Sequence, residues 1–312
     1  MNDHIGDSAD GSALSPRELL NKIYNEGDEN VRVLYKYRSC ASYYIDCLRN
    51  DTLWFSNRSQ LSDPFDCLVR LAEPDCRLFD VSGVRERLAN AKPYLLEFSD
   101  RGKIPEYVGN ISEPEPLVLL GLSAAGLGFE LLLKHLRELD IESDLWVVKL
   151  IIGARELVRF LVQHATVFCV SELNDNRLMW DHYAAGHTGF CIGYVCPVGI
   201  SNPRTIDKVN YVKRVRPITD WELIDEPGDV WRGLVLTKPK EYSYEAEWRM
   251  VWAGINGLVD SLLPYREVIL GARIASADET MVREAVGNSD VRFYRAVLDH
   301  TTGKFVIRIE PA

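Results

Sequence analysis

The stretch VRVLYKY (31–37) alternates β-branched and aromatic residues with charges, the period-two pattern of a strand with one buried face. Ahead of it, SPRELLNKIYNEG spaces its apolar residues as a short helix, with Ser15 as N-cap and Pro16 in the first position. After it, SCASYYIDCLRN (39–50) predicts a helix from Ser39, TLWFS (52–56) a second strand, and NRSQLSDPFD a polar turn broken by Asp-Pro. From residue 166, TVFCVS reads as a buried strand. NDNRLMWDHYAAG follows as a short helix capped by Asn174 or Asp175 and stopped at Gly186. TGFCIGYV and DKVNYV predict further strands, VWRGLVLTK a helix, and YSYEAEWRMVW (242–252) a strand. REVILG, a helix near ADETMVREAV, and the strands VRFYRAVL and KFVIRIE complete the pattern.

Between Asp66 and Thr166 the pattern changes. Leu- and Ala-rich segments such as ELLLKHLREL and SDLWVVKLIIGARELVRFLVQH carry helical spacing, and residues 78–165 read as a mostly helical insertion lobe. The expected class is α+β: a mixed or antiparallel sheet, continuous or split, with that lobe inserted. Residues 1–14 are expected as a disordered tail and 15–312 as one α+β domain. A Rossmann or P-loop reading lacks its Gly-rich phosphate turn, since neither G-x-G-x-x-G nor G-x-x-x-x-G-K-[ST] occurs.

Composition narrows the function classes. A formal net charge of −10 argues against broad nucleic-acid binding, which needs a dense Lys/Arg surface. A small molecule or a protein is the expected partner. No run approaches the roughly eighteen apolar residues of a membrane span. The first residues are acidic where a signal peptide is basic, so a cytoplasmic location is the default. The seven cysteines form no C-x-x-C pair, and no metal is expected.

Four stretches carry candidate chemistry. In YSYEAEWRMVW, strand alternation puts Tyr244, Ala246, Trp248 and Met250 on a core face and Glu245, Glu247 and Arg249 on the other. Those three charges are either a solvated ladder or the wall of a cleft. In a cleft the carboxylates would stabilise a cationic transition state or hold a ribose hydroxyl, with the guanidinium keeping them ionised. Lys36 and Arg38 share a strand face that runs into a helix N-terminus. They form an anion site or blunt an edge strand, and the two readings are even. Asp63 and Asp66 cap a helix over Phe65–Leu71 or bind a ligand, capping being the simpler. In MWDHYAAGHTGFCIGY (179–194), His182 and His187 straddle the helix stop, which disfavours a shared metal. Met179, Trp180 and Tyr183 form an apolar face, with Asp181 or His182 free to face a cleft.

Taken in order, L-Y-K-Y-R, L-W-F-S, S-D-P-F-D, M-W-D-H-Y-A, H-T-G-F-C-I-G-Y, Y-E-A-E-W-R and V-I-L-G-A-R resemble the bacterial domain-of-unknown-function 2971 family over about residues 31–275. The family's turn usually reads Asn-Asp-Pro, and Ser62 stands here where Asn is expected. The layout is also similar, at the level of fold alone, to ADP-ribosyltransferases, which hold NAD across a split sheet. That resemblance implies that Lys36 or Arg38 grips the NAD phosphates or ribose and that Ser56 is the second-strand contact. It implies Glu247, or failing it Glu245, as the catalytic carboxylate beside Arg249, with Trp180, His182 or Tyr183 near the nicotinamide. The implied activity is an NAD-consuming transferase or glycohydrolase in a phage-defence, toxin or stress setting. The alternative is a non-catalytic nucleotide sensor or protein-interaction module.

Overall fold

The computed structural model describes residues 16–61, 63–73, 155, 158–198, 206–225, 227–253, 257–287, 290–299, 301 and 306–312. Most of the expected helical lobe, and Ser62, lie outside them. Within the lobe's span, Arg155 and residues 158–164 are helical.

The elements run α1 (Pro16–Asn25), β1 (Val31–Arg38), α2 (Ser42–Arg49), β2 (Thr52–Asn57), β3 (Ala165–Ser171), α3 (Arg177–Tyr183) and β4 (Phe190–Pro197). They continue with β5 (Ile206–Lys208), β6 (Asn210–Val212), α4 (Asp220–Asp225), α5 (Pro227–Val235), β7 (Thr237–Pro239) and β8 (Glu247–Ala253). The chain closes with β9 (Gly257–Asp260), β10 (Tyr265–Leu270), α6 (Ser276–Val286), β11 (Arg292–Asp299) and β12 (Val306–Pro311). Ten strands form one open sheet along the path β12-β11-β10-β4-β1-β3-β2-β9, with β8 and β5 joining through β3. Within that sheet β10 and β11 pair in parallel, and the other pairs are antiparallel. This is a mixed α+β sheet, as the strand-rich pattern implies.

The sheet forks at β3. One edge of β3 pairs with β8 along its whole length, Ala165↔Ala253 to Ser171↔Glu247. The other edge meets β1 at Tyr35↔Ser171 and β2 at Ser56↔Val167 and Asn57↔Thr166. Between these contacts β1 and β2 diverge, and Lys36 Nζ donates to the Cys169 carbonyl at 2.5 Å. The ammonium takes the place of a ladder amide there.

Two apolar clusters cover the two faces. Leu34, Phe168, Phe190, Ile192, Trp248, Val268 and Leu270 pack with α2 and α6 on one side. Tyr37, Cys191 and Ile269 pack with Met179 and Trp180 of α3 on the other. Gly189 makes the close approach of β4 to β1 possible, because a Cβ there would lie 2.1 Å from the Arg38 carbonyl oxygen.

Several boundaries differ from the sequence expectation. The second helix begins at Ser42, not Ser39, because Ala41 is still extended (φ −63°, ψ 141°). The cap of α3 is Asn176, neither Asn174 nor Asp175: its side chain accepts from the Leu178 and Met179 amides. DKVNYV divides into β5 and β6, with the Val209 amide between them donating to the Glu247 carbonyl. Residues 65–70 form a turn and not a helix, and Asp63 Oδ1 accepts from the Phe65 amide at 2.9 Å. The strand drawn over 242–252 starts at Glu247. Lys240–Glu245 is a 3-10 helix that ends at Ala246 in the left-handed region (φ 43°). Among the described residues no helix is long and apolar enough to cross a membrane.

Candidate functional site

Arg249 projects from the middle of β8 into the protein and is wholly buried. A buried guanidinium has to be paired and hydrogen-bonded on every side. Its Nη1 donates to Asp66 Oδ1 at 2.8 Å and to the Val235 carbonyl at 2.7 Å. Nη2 donates to Asp66 Oδ2 at 2.6 Å, and Nε to Glu247 Oε1 at 2.9 Å. Lys238 of β7, also buried, donates to Glu245 Oε2 at 2.5 Å and to Glu247 Oε2 at 3.1 Å. Its Nζ lies 3.6 Å from Asp66 Oδ2. Three carboxylates and two cations thus share one internal cluster. The solvated-ladder reading of Glu245, Glu247 and Arg249 does not hold, since all three are buried.

The two glutamates titrate in opposite directions. Burial alone would raise Glu247, but the charges of Arg249 and Lys238 overcome it and hold its carboxyl well below the ordinary carboxylate range. Glu245 is raised, chiefly by burial, and the nearby Glu247 charge adds to the effect against Lys238. Of the two glutamates, Glu245 therefore carries a proton more readily. Its Oε1 accepts from Tyr183 Oη at 2.7 Å. The 3-10 turn presents Glu245 from a different element than β8, yet on the same cluster as Glu247.

Tyr183 joins this cluster to an open cavity of about 670 Å3 lined by Asp63, Phe65, His182, Tyr183, Pro239, Glu241, Tyr242 and Tyr244. The walls are aromatic and the charges acidic. His182 Nδ1 lies 3.2 Å from Tyr244 Oη, and Tyr242 stacks near Tyr244 with ring centroids 6.4 Å apart. The ammonium of Lys238 sits 4.8 Å from the Tyr242 ring centroid. Asp63 is only 3% exposed, and its Oδ2 has no hydrogen-bond partner. A buried carboxylate oxygen without a donor is costly, and Asp63 is one of the residues that line the cavity.

The remaining residues expected at the site are dispersed. Trp180 is fully buried, edge-to-face with Tyr37 at 5.2 Å, and its Nε1 donates to the Asn174 carbonyl. It belongs to the core and lines no cavity with Tyr183. Arg38 lies on the other face of the sheet. The pairings Tyr35↔Ser171↔Glu247 put Tyr35 and Tyr37 on the Glu247 side, so Lys36 and Arg38 alternate away from it. The Arg38 guanidinium stands over the Tyr44 ring at 4.3 Å. Lys36 fills the fork at β3, and burial, then Arg38, lower its pKa to about 7. Ser56 sits half-buried on β2 opposite Val167. Lys238 is the side chain here that the motifs leave unassigned, while Asp63 and Asp66 read in the sequence as helix caps or ligand contacts, capping being the simpler. The signal for those two is the Asp-Pro turn itself. The signal for Lys238 is arithmetic: buried carboxylates at Glu245 and Glu247 require more than one cation. Among the described residues, no group of three or more His, Cys, Asp or Glu is arranged to hold a metal ion.

An open mixed sheet, a buried five-membered ion cluster and an aromatic, acidic cavity beside it define this α+β protein. The family model described as "Protein of unknown function (DUF2971)" matches residues 179–250, the stretch from α3 to the Arg249 strand, and supports the resemblance to that family there; it bears on neither the earlier motifs nor the likeness to ADP-ribosyltransferases. No curated protein matches the chain, and no solved structure does.

Proposed function

We propose that the chain is a nucleotide-sensing protein whose aromatic cavity takes a flat, positively charged or amino-bearing ring. The observation that carries this reading is Asp63 Oδ2, unpartnered and buried at the wall of a cavity otherwise lined by tyrosine, histidine and phenylalanine rings. Aromatic faces attract cations and stack on planar rings. A free carboxylate oxygen adds preference for an N–H donor or positive charge. The nicotinamide of NAD, flat, cationic and bearing a carboxamide, meets each requirement. The carboxylates Asp63 and Glu241 disfavour phosphates, so the ring end of the nucleotide is the part recognised.

The test is thermal stabilisation by NAD, with NADH as comparator because its dihydronicotinamide is uncharged. Saturable stabilisation by NAD, weaker with NADH and lost in Asp63→Asn, is expected. Equal stabilisation by both, or none by either, overturns the reading.

NAD cleavage is a second reading, and Glu245 favours it. This carboxyl is one hydrogen bond from the cavity through Tyr183, whereas the side-chain donors on Glu247 are Arg249 and Lys238, neither of which lines the cavity. Release of nicotinamide by the wild type and not by Glu245→Gln would support an NAD glycohydrolase or ADP-ribosyltransferase. Unchanged NAD after long incubation leaves sensing alone.

A further inference from the structure

Two of the tyrosines that line the aromatic cavity also touch the buried ion cluster. Tyr183 Oη donates to Glu245 Oε1 at 2.7 Å. The Tyr242 ring centroid stands 4.8 Å from the Lys238 ammonium, which donates to Glu245 Oε2 at 2.5 Å. Each oxygen of this one carboxyl therefore leads to the cavity wall, Oε1 through Tyr183 and Oε2 through Lys238 to Tyr242. Glu245 itself is 2% exposed.

The ionisable groups that face Glu245 come from several elements: Tyr183 of α3, Tyr211 of β6, Lys238 of β7, Tyr244 of the 3-10 turn and Glu247 of β8. Asp66, from the turn after β2, approaches the same Lys238 ammonium at 3.6 Å. Burial raises the Glu245 pKa, and Glu247 adds to the rise against the pull of Lys238, so the folded carboxyl keeps its proton just above pH 4.5. Tyr183 meets the two states differently. To an ionised carboxylate its hydroxyl can only donate, whereas a protonated carboxyl can donate to it. A positive charge nearby favours the ionised form, and by reciprocity the ionised form favours the positive charge.

We propose that a cation entering the aromatic cavity expels the proton of Glu245 to solvent, so that the buried cluster makes ligand binding pH-dependent. This rests on the cavity taking a cationic ring, as proposed above. For each ligand bound, the neutral carboxyl becomes a carboxylate and one proton passes to the buffer. Tyr183 then donates to Oε1, and Lys238 stays on Oε2. Affinity for the cation therefore rises with pH through the folded value of Glu245, by at most about tenfold per pH unit, and levels off above it.

The probe is 1-methylnicotinamide, a cationic ring with no glycosidic bond to cleave, and nicotinamide, the same ring without the charge, is the comparator. The full chain, labelled with carbon-13 at its glutamate carboxyls, is titrated from pH 4.5 to 8 with and without each compound at saturation. The midpoint of the Glu245 carboxyl resonance is expected to fall by about one pH unit with 1-methylnicotinamide, matched by a roughly tenfold gain in affinity across the range. Nicotinamide should leave the midpoint in place. In Glu245→Gln that part of the gain in affinity should disappear, while Asp63, Glu241 and His182 of the wall are common to both proteins. Saturable binding of 1-methylnicotinamide with an unmoved midpoint overturns the coupling and leaves the cavity reading intact. An equal fall with nicotinamide, or the full gain retained in folded Glu245→Gln, also overturns the coupling. No saturable binding of 1-methylnicotinamide at any pH overturns the cavity reading and the coupling with it.

Discussion

Asp66 and Arg249, 183 residues apart in the chain, form a two-pronged ion pair in which Nη1 and Nη2 each donate to a separate carboxylate oxygen, at 2.8 and 2.6 Å. The pair ties the Asp-Pro turn after β2 to the centre of β8 inside the protein. Removing one partner of a buried pair leaves an uncompensated charge, which typically costs about 3–5 kcal/mol. Asp66→Ala is therefore expected to lose stability in that range by urea unfolding at pH 7. The double variant Asp66→Ala, Arg249→Met should lose clearly less than the two single losses added together. Additive losses, or an Asp66→Ala cost below about 1 kcal/mol, would show that the pair is not a clamp.

The opposite titrations of Glu245 and Glu247 make a pH test within one cluster. Glu247 has a folded value below its unfolded one of about 4.5, so its contribution is present above that pH and is lost as pH falls below it. The unfolding midpoint of Glu247→Gln should thus be lower than wild type at pH 7 but fall less steeply between pH 5 and pH 3. Glu245 has the reverse sign. Its folded value is raised, so the folded state holds the extra proton just above pH 4.5, and stability from this group declines as pH rises through that window. Wild type should accordingly lose ground to Glu245→Gln as pH is raised from 5 to 8. Parallel pH profiles for the two variants would refute the assignment.

How far this arrangement was legible in the sequence depends on the range of each contact. Alternation was enough to find β1 and to set Glu247 and Arg249 on a face away from Trp248 and Met250, and continuous apolar runs marked β3 and β4. The cap of α3 is expected at Asn174 or Asp175, and the backbone path places it one residue further on, at Asn176. Glu245 reached the cluster by a route that strand periodicity does not describe, a 3-10 turn closed by left-handed Ala246. Asp66, the partner of Arg249, and Lys238, the partner of both glutamates, were beyond reach because they arrive from separate elements, brought in by tertiary packing. Arg38 shows the same limit. Its own strand was evident, but its separation from Glu247 follows from the register through β3, which no local pattern encodes.

Lys36 offers a test of the fork. Burial lowers its folded pKa from 10.5 to about 7, so between those values the unfolded state binds a proton that the folded state does not. Stability from this group therefore rises with pH across that window, and below it the buried ammonium is a constant penalty. Relative to Lys36→Met, the wild type should gain unfolding midpoint from pH 6.5 to pH 9.5. An unchanged difference between the two proteins would mean that the amine is solvated and that the fork does not constrain it.

Gly271 and Gly193 look alike in the sequence, each within a strand-rich motif, but they meet different obstacles. A Cβ at Gly271 would lie 2.3 Å from the His187 carbonyl oxygen and 2.6 Å from that of Gly189. Those are backbone atoms, and they are held: the Gly271 amide donates to the Gly189 carbonyl and the Arg273 amide to that of His187, both at 2.9 Å. A Cβ at Gly193 would instead lie 2.6 Å from Glu267 Cγ and 2.9 Å from Val33 Cγ1, side-chain atoms that yield more readily than a held backbone carbonyl, although Glu267 is tied to Tyr35. Overpacking commonly costs about 1–3 kcal/mol, with the cost set by whether the neighbours can yield. Gly271→Ala is expected at or above the top of that range, and Gly193→Ala near the bottom, by urea unfolding at pH 7. Gly271→Ala should also shift the His187 imidazole resonances, because the carbonyl it displaces belongs to His187. Gly193→Ala should leave them unchanged, since its neighbours Glu267 and Val33 do not line the cavity beside His187. Equal losses for the two alanines would mean that the turn at His187 yields as readily as a side chain, which its paired hydrogen bonds argue against.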